Sequence, residues 1–211
     1  MKIPNAARFN MLIILAALPF TLLELRIGIR ISGVHFIRQG WILEHPFFWQ
    51  WGWWLWLAVI FGWMWLLITL MWSYLPAHRV TTMLQSGLML IAAVLAISGI
   101  IVWMAALPQI MTQENAAALI PLVDALALGL IGGGALMGGA VTAWIGLELY
   151  QQQVLSRLWV PLLIMSGLAA LPSPFLLPNV YGLLLAALCW WLWAIYLAFL
   201  PCLPSPFPAW K

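Results

Sequence analysis

The sequence predicts an all-α fold: a polytopic integral membrane helix bundle of about six transmembrane helices, with both termini on the cytoplasmic side. Three observations carry this. Of 211 residues, 66 % are hydrophobic and 6 % charged, against about 25 % charged in an ordinary soluble domain, so there is too little polar surface to coat a globule in water. Six apolar stretches, residues 9–25, 47–75, 83–107, 119–147, 158–171 and 181–200, are set apart by polar or proline-rich breaks. Most reach the ~20 residues a helix needs to cross ~30 Å of hydrocarbon. The alternating ten-residue pattern of a membrane barrel is absent, and in lipid every backbone amide must find its partner within the protein, which leaves the helix.

Taken in order, the first stretch follows Lys2 and Arg8 and has the charge and apolar core of a signal peptide. Glu24, Leu25 and Arg26 come next without a small-x-small cleavage site, so an uncleaved span is expected. The second stretch holds Trp49, Trp51, Trp53, Trp54, Trp56, Trp63, Trp65 and Trp72, half of the sixteen tryptophans, and no charged residue. Trp63 and Trp65 fall near its middle, too deep for the interfacial belt where membrane tryptophans usually sit. At helical spacing Trp49, Trp53, Trp56 and Trp63 form one stripe, and Trp54, Trp65 and Trp72 another, so one face can meet lipid and the other protein or a flat ligand. The third stretch, residues 83–107, adds a further uncharged span.

The fourth carries Gly129, Gly132, Gly133, Gly134, Gly138 and Gly139. The pairs Gly129/Gly133 and Gly134/Gly138 have the four-residue spacing that lets membrane helices approach closely, so this stretch is expected at the bundle centre or at a seam between copies. The fifth is short, contains Pro161 and Gly167, and runs into Pro172, Ser173 and Pro174. It is expected to be tilted, broken or re-entrant. The sixth has a second aromatic cluster, Trp190, Trp191, Trp193 and Tyr196. Residues 1–200 thus read as one bundle domain and 201–211 as a proline-rich, extended tail. Six crossings put Lys2, Arg8, Arg79, Arg157 and Lys211 on one side and Arg26, Arg30 and Arg38 on the other, the bias that places both termini inside.

The polar residues supply the candidate sites. Glu24, Arg26, Arg30, His35, Arg38, Glu44 and His45 lie between the first two spans. If the first helix continues, Arg26 and Arg30 share a face at i and i+4 and call for an anion or carboxylate; lipid phosphate is the ordinary answer. Asp124, just after Pro121, reads either as a functional acid within a span or as a carboxylate near a helix start. Its expected partner is Arg26 or Arg30, giving the candidate polar cluster Glu24, Arg26, Arg30 and Asp124. The candidate apolar-ligand or packing face is Trp49, Trp53, Trp56, Trp63 and Trp65, and the candidate packing glycines are Gly129, Gly133, Gly134 and Gly138.

Several classes of function are disfavoured. Eight Lys and Arg spread along the chain make no basic patch for nucleic acid. Cys189 and Cys202 form no zinc or redox motif. His78 lies on the side opposite His35 and His45, which does not suit two axial haem ligands. No nucleophile–base pair, paired carboxylates or phosphate-binding loop can be assembled, so no enzyme is expected. The leading expectation is a non-catalytic membrane protein acting by helix packing, as an accessory or scaffold subunit beside a membrane protein partner or a second copy. One alternative is a small-solute or ion transporter using Asp124, Glu24, Arg26 and Arg30. Another is a holder of a planar apolar ligand such as a quinone, carotenoid, chlorophyll or haem, the cofactor itself being left open. The expected location is a bacterial inner membrane or an organelle membrane derived from one.

Overall fold

The computed structural model describes residues 3–30, 35–75, 79–153 and 155–199. Lys2, His78, Cys202, Lys211 and the expected 201–211 tail lie outside the described residues, as does the side chain of His35. The described residues form helices and turns, with no strand among them. The helices are α1 (Ile3–Leu23), α2 (His35–Glu44), α3 (Pro46–Tyr74), α4 (Val80–Met111), α5 (Ala116–Gln152), α6 (Val160–Ala170), α7 (Ser173–Leu176) and α8 (Tyr181–Phe199). Five of them, α1, α3, α4, α5 and α8, are long and apolar enough to cross a membrane.

Proline explains several boundaries. Pro46 opens α3 and Pro161 opens α6, at first-turn positions where a missing N–H removes no helical bond. In α4 a five-residue π turn, Val102–Ala106, ends two residues before Pro108. The wider turn relieves the clash of a mid-helix proline ring with the preceding carbonyls. Pro121, by contrast, lies inside α5, which begins at Ala116. Asp124 is therefore two turns within a helix, and the reading of it as a helix-start carboxylate is corrected.

The helices α1, α3, α4, α5, α6 and α8 pack in that order as a closed ring, with α8 returning to α1. Neighbours run antiparallel. Asn10 meets Gly62 and Leu25 meets Gly52 between α1 and α3; Gly134 meets Ala92, and Gly99 meets Ala127, between α4 and α5. Trp159 stacks on Tyr196, while Ser166 bonds the Ala186 carbonyl, between α6 and α8. The start of α1 and the finish of α8 consequently share one end of the bundle, here the terminal end. The 24–45 connection marks the other, the loop end. The fifth segment is the exception among the spans. At 11 residues, α6 is about 16 Å long, and with α7 it turns back into α8 beside Gly132, where a Cβ would lie 3.0 Å from Pro174 Cα.

Glycine lets α5 serve as the central wall, though not at all of the expected positions. A Cβ at Gly134 would stand 2.8 Å from the Ala92 carbonyl oxygen, and one at Gly139 would stand 2.6 Å from that of Gly167. Gly129 meets nothing within 4 Å, Gly133 meets only Leu95 at 3.6 Å, and Gly138 faces Trp63 at 3.4 Å. The expected Gly129/Gly133 pairing is thus corrected. Because α4 and the α6–α7 arm approach α5 from two sides, the close contacts toward that arm recur at seven-residue spacing, Gly132, Gly139 and Gly146.

Candidate functional site

The ring leaves its centre partly empty. Two apolar cores fill the ends of the bundle. The terminal core includes Ile14, Leu66, Leu67, Ile145, Leu163 and Trp193, and the loop-end core includes Leu25, Trp49, Trp53, Ile100, Trp103 and Leu107. Between them lies a partly open cavity of about 260 Å³ lined by residues of all six ring helices. Five of its lining side chains are tryptophans: Trp53, Trp56, Trp63, Trp103 and Trp190. Its polar lining is limited to Thr21, Thr142 and Ser166.

The side chains that shape the cavity are held by hydrogen bonds between helices. Trp63 reaches across the ring from α3 to α5, where its Nε1 donates to Thr142 Oγ1 at 3.0 Å. Trp56 Nε1 donates to Thr21 Oγ1 at 2.8 Å. Trp190 Nε1 donates to Asn10 Oδ1 at 2.9 Å, and Asn10 Nδ2 donates in turn to the carbonyls of Ala6 and Gly62, each at 2.8 Å. Polar residues bonded across helices in this way hold membrane bundles together where the hydrophobic effect cannot. Asn10 is fully buried and was not among the residues picked out by sequence. Its signal was a lone amide in an apolar span.

At the loop end the cavity wall is tied, through Trp103, to a buried ion pair. Arg38 of α2 grips Asp124 of α5 through two bonds, Nη1 to Oδ2 at 2.5 Å and Nη2 to Oδ1 at 2.9 Å. Both side chains are 4 % exposed. Arg38 Nε also donates to the Gly28 carbonyl at 2.6 Å, and Trp103 Nε1 donates to Asp124 Oδ1 at 2.9 Å. The guanidinium carbon lies 5.8 Å from the Trp103 ring centroid, within cation–π range. Trp103 belongs both to this network and to the cavity wall. A bidentate arginine–carboxylate pair with its other groups bonded is the arrangement in which two charges survive burial.

The expected cluster of Glu24, Arg26, Arg30 and Asp124 is not brought together. Residues 24–29 leave α1 as a series of turns, so Arg26 and Arg30 do not stack along a helix face. Leu25 and Gly28 point inward, while Glu24, Arg26 and Arg30 are exposed. The cation that Asp124 required is Arg38, carried in by α2, whose Ile42 is buried one turn further on. His45 stacks on Trp41 and its Nδ1 lies 3.1 Å from the Trp41 carbonyl oxygen. No grouping of three or more His, Cys, Asp or Glu suited to a metal occurs among the described residues.

The tryptophans of α3 differ in exposure, and the second stripe is split, with Trp65 packed among side chains while Trp54 and Trp72 are exposed. Trp49 and Trp53 are buried, Trp56 and Trp63 are half-buried, and Trp54 and Trp72 are exposed. Trp53, Trp56 and Trp63 line the cavity; Trp49 packs behind it, its Nε1 3.3 Å from the Trp103 carbonyl. Trp65 faces away from the cavity, against Phe9 and Phe61. Of the second cluster Trp190 reaches the cavity, while Trp191 donates to the Met11 carbonyl at 3.1 Å. No family of known proteins matches this chain, and neither a curated protein nor a solved structure shows detectable similarity to it.

Proposed function

We propose that this integral membrane protein holds an apolar molecule, drawn from the bilayer, in the cavity at the centre of its helix ring. The observation that supports the reading is the cavity itself: about 260 Å³, almost wholly apolar, and walled by five tryptophans, four of which are fixed by hydrogen bonds to protein. Such a wall is preorganised, so little side-chain entropy is lost when a ligand arrives. An engineered apolar cavity of about 150 Å³ takes up benzene, and pockets for drug-sized molecules run from about 300 Å³ upward. A single ring or a length of hydrocarbon chain fits this range, whereas a tetrapyrrole or a whole carotenoid is larger than the space.

The transport alternative needs a polar vestibule, and the residues assigned to it are exposed or, in Asp124, already neutralised. The exposed Trp54, Phe61 and Trp72 are what contact with lipid requires, and they give no separate reason to add a protein partner. We further propose a bacterial inner membrane or an organelle membrane derived from one, in which the five-to-three distribution of Lys and Arg would put both termini on the cytoplasmic side. The test is native mass spectrometry of the protein released from native-lipid nanodiscs, for wild type and for Ala187→Phe, which puts a ring into the cavity. A bound mass on wild type that is missing from the variant supports the proposal; identical bare masses refute it.

A further inference from the structure

We propose that α2 and the first turns of α3 lie in the membrane interface at the loop end, with Ile37, Leu43, Phe47, Phe48 and Trp51 set into the boundary between lipid headgroups and acyl chains. The partner of this surface is the bilayer. On this reading α2 is an interfacial anchor, and the inference stands independently of what the central cavity holds.

The side of α2 that meets the protein carries polar groups. Arg38 bonds Asp124 and the Gly28 carbonyl, and Gln39 Nε2 donates to the Met111 carbonyl at 2.9 Å. Ile42 is the buried apolar side chain beside them. The other side exposes Ile37 at 64 % and Leu43 at 45 %, and its one charge among the described side chains is Glu44 in the last turn. A helix lying on a protein in water has the reverse arrangement, apolar toward the core and polar outside. A helix with its guanidinium and amide satisfied by the protein and aliphatic groups turned outward fits the headgroup–acyl boundary, where such faces sink about 5–10 Å.

What covers this face follows from its continuity with the membrane-spanning surface. Trp41 stacks on His45 with ring centroids 5.4 Å apart, and His45 lies 6.1 Å from Phe48. Phe48 is 6.2 Å from Phe20 of α1 and 6.0 Å from Phe47, which is 5.9 Å from Trp51. Phe47, Phe48 and Trp51 are exposed, and further along α3 so are Trp54 and Phe61, on a helix long and apolar enough to cross the membrane. Aromatic rings with a polar edge gather at headgroup level, so this chain of rings joins the outer face of α2 to the lipid-facing side of α3. The same end of the bundle supplies the contrast. Thr112, Gln113, Glu114 and Asn115, the turn between α4 and α5, are all polar and exposed. α2 borders that turn through the bond from Gln39 to Met111, so polar and apolar surfaces meet there, as they do where a protein leaves the bilayer. An exposed apolar patch of this extent marks a contact surface, and lipid is the partner with which it is already continuous.

The test attaches a nitroxide label at Ile37→Cys, Leu43→Cys or Phe47→Cys and, as the aqueous reference, at Gln113→Cys. Each is made in the full chain carrying Cys189→Ala and Cys202→Ala, in nanodiscs of zwitterionic phospholipid. Power saturation compares relaxation by oxygen, which concentrates in the bilayer, with relaxation by a water-soluble nickel chelate. The oxygen-to-nickel ratio is expected to be several-fold higher at Ile37, Leu43 and Phe47 than at Gln113. The replaced side chains are exposed, so each labelled protein is expected to melt at the midpoint of the unlabelled one, which shows the fold retained. A ratio at Ile37 and Leu43 equal to that at Gln113 puts the outer face of α2 in water and overturns the proposal, even where Phe47 reads as lipid. Weak relaxation by both reagents at Ile37 and Leu43 means that protein, such as a second copy of this chain, covers the face, and overturns it as well.

Discussion

Replacing Arg38 by Met removes the cation of the buried pair and leaves the Asp124 carboxylate with one donor, Trp103 Nε1. Two charge-assisted bonds are lost, together with the bond from Arg38 Nε to the Gly28 carbonyl. At 4 % exposure the stranded carboxylate gains little from water. Breaking one side of such a pair costs about 3–5 kcal/mol. Asp124→Asn is expected in the same range, because it turns a carboxylate oxygen into an amide that opposes the guanidinium. The double variant Arg38→Met/Asp124→Leu removes both charges. It leaves the Trp103 N–H and the Gly28 carbonyl without these partners, a cost of about 1–3 kcal/mol for each group left buried and unpaired. The double variant should therefore be no less stable than either single variant, and far more stable than the sum of the two predicts. The assay is reversible unfolding in mixed detergent micelles, followed by circular dichroism and set out as a double-mutant cycle. Single losses below about 1 kcal/mol, or strictly additive losses, would show that the pair is not the buried neutral unit described.

Other contacts make equally direct claims. Gly134→Ala should push α4 away from α5 and lower the unfolding midpoint, since its methyl group would sit 2.8 Å from backbone atoms of Ala92 and Ala96. Gly129→Ala, which meets nothing within 4 Å, should be neutral or stabilising by up to about 1 kcal/mol through helix propensity; the two compared side by side in the same micelles check the register of α5. Asn10→Leu leaves Trp190 Nε1 unpaired and removes the bond across α1 and α3 to the Gly62 carbonyl, which keeps its own helical partner. A loss of about 0.6–1.7 kcal/mol, between the average and the largest values for interhelical bonds in a membrane protein, is expected in the same unfolding assay. Gln85 is fully buried with neither end of its amide bonded, so Gln85→Met should raise stability by about 1–3 kcal/mol. Unchanged or lower stability of that variant would mean the amide has a partner.

What could be read from sequence was what depends on neighbours along the chain. The long apolar runs became helices, and the 3.6-residue period of Trp49, Trp53, Trp56 and Trp63 put these residues on the inner face of α3 while Trp54 and Trp72 point outward. Pro172, Ser173 and Pro174 marked where the fifth segment stops. What could not be read depends on which distant residues meet. Sequence reasoning picked Arg26 or Arg30 as the partner of Asp124 and passed over Arg38 in the same connection. The choice was made by the turns at 24–29, which expose Arg26 and Arg30, and by α2, which delivers Arg38. The glycine spacing showed that α5 would be approached closely, but two partner helices arriving from different sides replaced the simple four-residue pattern. The cavity has no signature in local sequence, since it arises from the closure of six helices into a ring.

The central claim is that the middle of this ring is a site for a molecule of the bilayer. The most direct measurement is an experimental density map, at side-chain resolution, of the protein held in nanodiscs of its native lipid. The account predicts continuous non-protein density between Trp56, Trp63 and Trp103. Trp63 packed across a closed centre, with no density and no space beside it, would contradict it.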